Sequence, residues 1–93
     1  MEATLAGMTR SRNPKFGHYV GEFLTPGIGH ILAAAGCDYV FFDMEHSGFS
    51  FETLKQAVRY FEAASVPVIV RSPSKDYDVI ARICDAGAEG IMV

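Results

Sequence analysis

Four short apolar runs alternate along the chain with segments in which apolar residues recur at helical spacing. The runs cover residues 16–23, 38–43, 66–70 and 90–93. Apolar runs of this length, bounded by turn residues, indicate strands, and nearly continuous ones are typical of parallel sheets. The pattern therefore predicts four strands, with Pro67 near the start of the third, where a missing N–H is tolerated.

The segment between the first two runs carries the start and stop signals of a helix. Thr25 is a suitable N-cap, Pro26 suits the first turn, and Gly36 suits the position after the last turn. The apolar face of this predicted helix consists of Ile28, Ile31, Leu32 and Ala35.

Two further helices are predicted between the later runs. One begins after Ser50, and the other begins near Ser74 or Asp76 and ends at Gly87. The apolar positions of the former are Leu54, Ala57, Val58 and Phe61, and those of the latter are Val79, Ile80, Ile83 and Cys84. Both sets recur at the three- and four-residue intervals of an amphipathic helix.

Strands that alternate with helices are typical of parallel βαβ units with right-handed crossovers, so the fold class is α/β. Residues 1–15 are predicted to be a lead-in or short helix, and residues 16–93 to be one domain. The last apolar run ends where a parallel strand would continue into a loop and a covering helix. We therefore expect residues 16–93 to be the first part of a larger fold.

Ionisable residues follow two neighbouring strands at the point where each strand ends. Asp43, Glu45 and His46 come at the end of the second strand, and Arg71 follows the third. Because the carboxyl ends of parallel strands meet at one edge of a sheet, these side chains are predicted to share a pocket. Asp85, near the end of the third helix, is a weaker candidate, since a polar residue there needs no special purpose.

These residue types suit chemistry on an anionic substrate. Two carboxylates beside an imidazole can hold a metal directly or through water, or can tune the imidazole as an acid and base near neutral pH. The planar fork of Arg71 pairs with a carboxylate or with enolate oxygens. The structural alternatives are a buried histidine at position 46 and an ion pair from Arg71 to Asp43 or Glu45.

Composition excludes several other classes. The chain has 49% hydrophobic and 20% charged residues and a net charge of −3, with its basic residues scattered, so nucleic acid is not an expected partner. No run approaches the ~18 apolar residues of a membrane span, and a cytoplasmic location is expected. Cys37 and Cys84 are far apart in sequence and are predicted to be reduced residues of the core.

Four stretches of the chain carry a resemblance to a known family. They are AAGCD at 34–38, FDMEHS at 42–47, VRSP at 70–73 and DAGAEGIMV at 85–93. In this order and spacing they resemble the HpcH/HpaI aldolase family, especially the 4-hydroxy-2-oxoheptanedioate and 2-keto-3-deoxy sugar-acid aldolases. Those are class II, metal-dependent lyases that release or add pyruvate. The citrate lyase β subunits share the fold but fit residues 43–46 less well.

The resemblance implies a (β/α)8 TIM barrel of ~250 residues, of which this chain would supply about the first half. It implies that a divalent metal (Mg²⁺, Mn²⁺ or Co²⁺) stabilises the pyruvate enolate. His46 would be the acid and base, Arg71 would hold substrate oxygens, and Asp43 and Glu45 would bind metal-bound water. Asp85 would pair with the histidine across a subunit interface in a homo-oligomer, commonly a hexamer. The direct metal ligands are expected beyond residue 93.

Two alternatives remain open at this stage. The chain could be an inactive fragment, including one that assembles with itself. It could also be a small flavodoxin-like module that binds a metal or a partner, although residues 21–24 do not form the glycine-rich phosphate loop of nucleotide-binding sheets.

Overall fold

The computed structural model describes residues 4–93 and contains a parallel four-stranded sheet. The strands are β1 (Gly17–Val20), β2 (Tyr39–Asp43), β3 (Val68–Arg71) and β4 (Gly90–Met92), and the helices are α1 (Leu5–Thr9), α2 (Ile28–Ala34), α3 (Phe51–Ala63) and α4 (Tyr77–Ala86). Helices α2, α3 and α4 are the crossovers between successive strands. The predicted α/β class and the four strands are therefore confirmed.

The strands lie side by side in chain order, β1-β2-β3-β4, and every pairing is parallel. Right-handed crossovers between consecutive neighbours place all three helices on one face of the sheet. This is the arrangement of a barrel segment. A flavodoxin-like sheet reverses its strand order near β1, so that alternative prediction was wrong.

The hydrophobic core lies between the sheet and the three crossover helices. Alternate strand residues such as Val40, Phe42 and Val70 are fully buried there. From α3 the core receives Leu54, Ala57, Val58 and Phe61, as the helical spacing predicted. The other face of the sheet carries half-buried residues, including Phe41 and Ile69, and that face leads to the charged strand ends.

Several helix ends agree with the sequence signals. The hydroxyl of Ser50 accepts a hydrogen bond from the backbone N–H of Thr53 at 3.2 Å, so the predicted cap of α3 is confirmed. Gly36 and Gly87 have φ of +90° and +112°, which are left-handed values that favour glycine after a last helical turn. Helix α4 begins after Asp76, one of the two predicted starts.

The start of α2 differs from the prediction. Its N-cap is Gly27, because Ile28 donates its N–H to the carbonyl of Thr25 at 3.1 Å and so forms a tight turn before the helix. Ile28 and Leu32 pack against the core, whereas Ile31 is 65% exposed. The predicted apolar face of this helix was therefore too wide.

Two smaller predictions have different outcomes. Residues 4–15 include the short helix α1, whose N-cap Thr4 accepts a hydrogen bond from Gly7, and residues 1–3 of the predicted lead-in lie outside the described residues. Cys37 is partly buried, and burial raises the pKa of its thiol. Cys84 is exposed on α4, so its assignment to the core was wrong. Among residues 4–93, no helix is long and apolar enough to cross a membrane.

The position of Phe61 allows a test of this core. Its side chain is fully buried, so Phe61→Ala is expected to lower the free energy of unfolding by about 3–5 kcal/mol. Gln56→Ala, on the exposed face of the same helix, is the matched control and should change it by less than about 0.5 kcal/mol. Urea unfolding followed by circular dichroism measures both. Equal effects from the two variants would contradict the packing described here.

Candidate active site

The charged residues predicted from the sequence meet at the carboxyl edge of the sheet. Asp43, the last residue of β2, is paired in register with Arg71, the last residue of β3. The loop after β2 then carries Glu45 and His46 along the same edge. The parallel register therefore brings these four residues together, as the sequence predicted.

Asp43 is the buried centre of this group, with no exposed surface. Its Oδ1 accepts hydrogen bonds from the backbone N–H groups of Glu45 at 2.9 Å and His46 at 3.1 Å. Its Oδ2 accepts a hydrogen bond from the hydroxyl of Tyr19 at 2.5 Å. Nε of Arg71 lies 3.5 Å from Oδ1. Both oxygens of a buried carboxylate are thereby satisfied, as burial of a charge requires.

These contacts shift the titration of both partners. Burial alone raises the pKa of the Asp43 carboxyl, but the hydrogen bonds from Tyr19, His46 and Glu45 and the charge of Arg71 outweigh it, and the net pKa is lowered. The hydrogen bond to Asp43, followed by desolvation and the nearby carboxylate charge, raises the pKa of the Tyr19 phenol. Asp43 is therefore held as a carboxylate and Tyr19 as a neutral donor.

Glu45 links the guanidinium to the imidazole. Its Oε1 lies 3.7 Å from Nη1 of Arg71 and 3.4 Å from Nε2 of His46. The Glu45 side chain is 44% exposed and that of His46 is 66% exposed. His46 and Arg71, the two groups predicted to take part in chemistry, thus both contact the same solvent-facing carboxylate oxygen of Glu45.

Arg71 is held between two carboxylates and an aromatic ring. Its guanidinium carbon lies 5.1 Å from the ring centroid of Phe41, which is within cation–π range. Its Nε is buried and has no hydrogen bond, since the 3.5 Å contact with Asp43 is an ion pair only. The structural alternative for Arg71, an ion pair to Asp43 or Glu45, is therefore present, and it fixes the fork at the strand end.

The loop after β2 is anchored by two residues that follow His46. The hydroxyl of Ser47 donates a hydrogen bond to the carbonyl of Asp43. Further along, the ring of Phe49 stacks on buried Phe42, with centroids 4.7 Å apart and an interplanar angle of 13°. The histidine therefore projects from a short, tethered loop.

A surface depression of about 400 Å³ opens beside His46, and Tyr19, Glu22, Phe23 and Ile28 are among the other residues that line it. Its walls combine aromatic and apolar side chains with titratable ones, as small-molecule sites do. A ligand in this depression would lie against the imidazole.

Asp85 does not join the group within this chain. Helix α4 leads from the carboxyl end of β3 back to the amino end of β4, so its last turn lies at the opposite edge of the sheet. Asp85 is exposed there and lines a different depression, together with Lys55 and Arg82. Its predicted pairing with His46 across a subunit interface remains a prediction.

The residues described here do not by themselves fit a divalent metal. Within residues 4–93, no group of three His, Cys, Asp or Glu side chains could hold one. Asp43 is buried, accepts three hydrogen bonds and faces the guanidinium of Arg71. It has no exposed surface in the described part of the chain, and the contact with a metal-bound water predicted for it remains a prediction. Glu45, half exposed, has surface left for such a contact.

Tyr19 is the site residue that sequence reasoning missed. The first apolar run alternates, and alternation puts Gly17 and Tyr19 on one face of a strand. That alternation indicates which face of the sheet Tyr19 occupies, but not which residue of β2 lies beside it. Only the register, with Tyr19 opposite Phe41, brings the phenol to Asp43.

A parallel sheet of consecutive strands, with charged side chains at its carboxyl edge, is the arrangement found in part of a βα-barrel. Residues 22–93 match the sequence profile described as HpcH/HpaI aldolase/citrate lyase. The chain belongs to that family, as its motifs suggested, and members of the family are aldolases and lyases.

Three relatives illustrate the match. A protein of Paraburkholderia phytofirmans named hydroxypyruvate/pyruvate aldolase is 31% identical over 90 residues, which are 95% of this chain and 34% of that protein. The crystal structure of an HpcH/HpaI aldolase from Desulfitobacterium hafniense has a TM-score of 0.89 at 32% identity, covering 97% of this chain and 35% of that one. The citrate synthase SbnG has a TM-score of 0.82 at 30% identity, covering 96% and 36%.

The chain therefore spans about a third of the length of these relatives, rather than the half that was predicted. It corresponds to the N-terminal part of TIM-barrel-like structures.

The burial of Asp43 gives a pH-dependent prediction. Asp43→Asn removes the charge that faces Arg71 and is expected to destabilise the protein at neutral pH by about 1–3 kcal/mol. Since the folded-state pKa of Asp43 is lowered, its contribution is fully present above the ordinary value of 3.8 and is lost as the pH falls through the folded-state value. The difference in free energy of unfolding between wild type and Asp43→Asn should therefore be constant near neutral pH and shrink as the pH falls below 3.8.

Urea unfolding at a series of pH values measures this difference. Asp78→Asn, at an exposed position on α4, is the control and should show a small effect. A wild-type advantage over Asp43→Asn that grows on acidification would contradict the assignment of Asp43 as a stabilising carboxylate.

Proposed function

We propose that a (β/α)8 barrel containing this chain is an aldolase that reversibly cleaves a 4-hydroxy-2-oxo acid to pyruvate and an aldehyde. The observation that carries the proposal is the convergence of His46 and Arg71 on Oε1 of Glu45, at 3.4 and 3.7 Å. This convergence lies at the edge where barrel enzymes bind their substrates. Membership of an aldolase/citrate lyase family supports the proposal.

Arg71 would bind the oxygens on which negative charge develops. Breaking the C3–C4 bond of the substrate leaves the electron pair on the pyruvate half as an enolate. A guanidinium fixed at the strand end is suited to that charge, since it needs no reorganisation as the charge develops. Its contact with Glu45 is half exposed and therefore weak, so substrate oxygens can replace that carboxylate.

His46 would move the proton. A neutral imidazole accepts the proton of the C4 hydroxyl as the C3–C4 bond breaks and the aldehyde forms. The resulting imidazolium then returns a proton to C3 of the enolate, giving pyruvate, and the addition reaction follows the same steps in reverse. Glu45 would orient the ring through Nε2 and stabilise its charged form.

Two partners implied by the resemblance complete the proposal. A divalent metal, which would stabilise the enolate as a Lewis acid, would have to be held by residues outside the described part of this chain. In a homo-oligomer, the exposed Asp85 of a second copy would pair with His46; its location at the far edge of the sheet is consistent with contact between copies rather than within one.

Carbon–carbon bond formation onto an oxo acid, rather than onto an aldehyde, is the second candidate function. The structural neighbour SbnG is named a citrate synthase and matches 96% of this chain. Arg71 would then hold an oxo-acid acceptor, and His46 would protonate the alkoxide that forms when a donor enolate adds to the keto carbon of that acceptor. Assays in the synthetic direction, with pyruvate as donor and either aldehydes or oxo acids as acceptors, distinguish the two.

The first experiment compares this chain with a version extended to barrel length from the same genomic locus. Pyruvate release from a 4-hydroxy-2-oxo acid is followed with and without added Mn²⁺. We expect metal-dependent activity in the extended protein and none in the 93-residue chain. Metal-dependent activity in the short chain would show that it supplies its own ligands, and no activity in either protein would contradict the proposed reaction.

The second experiment tests the two side chains in the extended protein. His46→Ala and Arg71→Ala are each expected to lower kcat/KM by about 100-fold or more, because each removes a group that acts in the transition state. His30→Ala and Arg12→Ala, at exposed positions away from the strand ends, are the matched controls and should retain activity. Full activity in either site variant would contradict the role given to that residue.

A further inference from the structure

We propose that Tyr19 is a positioning residue of this site, whose phenol fixes Asp43 so that Asp43 in turn fixes the loop carrying His46. Its kinetic consequences rest on the proposed function, whereas its effect on the loop does not. Tyr19 lies on β1, a strand from which the sequence suggested no site residue.

The register of the sheet explains how the phenol reaches Asp43. Tyr19 is opposite Phe41, and their rings meet edge to face with centroids 6.0 Å apart. Asp43 is two residues beyond Phe41 and therefore on the same face of β2. Strand side chains lean along the strand direction, and the tyrosine is long enough to place its hydroxyl 2.5 Å from Oδ2 of Asp43.

A glycine two residues after Tyr19, just past the end of β1, leaves room for this contact. A Cβ built on Gly21 would lie 2.4 to 2.6 Å from the ring and hydroxyl of Tyr19. Any side chain at position 21 would therefore push the phenol out of its place. The tyrosine on β1 and the glycine just after that strand thus serve the same hydrogen bond.

Asp43 transmits the contact to the loop. One carboxylate oxygen accepts the phenol proton, and the other accepts the N–H groups of Glu45 and His46. Without the phenol, Oδ2 would be a buried carboxylate oxygen lacking its donor, which is costly enough to favour rotation or protonation of the group. Either response weakens the hydrogen bonds that Asp43 accepts from the N–H groups of Glu45 and His46, and His46 then becomes less well ordered.

Two variants remove the contact by independent routes. Tyr19→Phe deletes the hydroxyl and keeps the ring, whereas Gly21→Ala keeps the tyrosine and displaces it. Tyr39 and Gly17 offer matched controls at the amino end of the sheet, since a Cβ on Gly17 would meet the ring of Tyr39 at 2.2 Å. Tyr39→Phe and Gly17→Ala therefore repeat the same two changes away from the site.

The experiment measures hydrogen exchange and kinetics in the barrel-length protein. Mass spectrometry of a peptide spanning residues 44–49 should show faster amide exchange in Tyr19→Phe and Gly21→Ala, and exchange like that of wild type in the two controls. With a 4-hydroxy-2-oxo acid as substrate, kcat should fall about 10–100-fold in the site variants, with a smaller change in KM. A residue that only contacted substrate would change KM first.

The outcomes separate this inference from the proposed function. If the wild-type protein releases no pyruvate, the proposed reaction fails, and faster exchange in the two variants still supports the positioning role. If the protein is active but exchange over residues 44–49 is the same in wild type and in both variants, the positioning role is overturned. A fall in kcat without faster exchange also overturns it.

Discussion

The candidate site depends on the burial of one charged group, the carboxylate of Asp43. A buried carboxylate is tolerated only when its oxygens are satisfied, and three hydrogen bonds and an ion pair serve that purpose here. The donors come from β1, from the loop after β2 and from the end of β3. Meeting this requirement therefore fixes Tyr19, the backbone at 45–46 and Arg71 relative to one another.

The two ion pairs of Arg71 differ in their exposure to water, and this difference suits the binding of an anionic ligand. The pair with Asp43 has a fully buried partner and is shielded from water, whereas the pair with Glu45 is half exposed. Exposed pairs contribute little stability and exchange easily. The guanidinium can therefore be held by Asp43 and Phe41 while it exchanges Glu45 for the oxygens of a substrate.

Local signals predicted most of the fold and the charged end of the site. A short stretch of sequence is enough to predict the alternation of strands and helices, the Ser50 cap and the glycines that end helices. The same holds for the positions of Asp43 and Arg71 at strand ends. The start of α2 at Gly27 and the exposure of Cys84 depend on turn geometry and packing between helices. Tyr19 could not be predicted as a site residue, because its contact with Asp43 depends on the register between β1 and β2, which no pattern of neighbouring residues encodes. The distance between Asp85 and His46 arises because α4 runs from the carboxyl edge of the sheet back to the amino edge.

The described part of the chain meets one of two requirements of the proposed aldolase and leaves the other to further residues. An acid–base group and an anion-binding fork need only the ends of β2 and β3, and strand pairing within this chain sets their geometry. A metal needs several carboxylates or imidazoles with free lone pairs, and here the buried carboxylate is already committed to Tyr19 and the loop. Further strands would have to supply metal ligands without disturbing Asp43. Of the carboxylates of Asp43 and Glu45, that of Glu45 is the half-exposed one, so in the proposed aldolase it is the one with surface left to contact a metal-bound water beside His46.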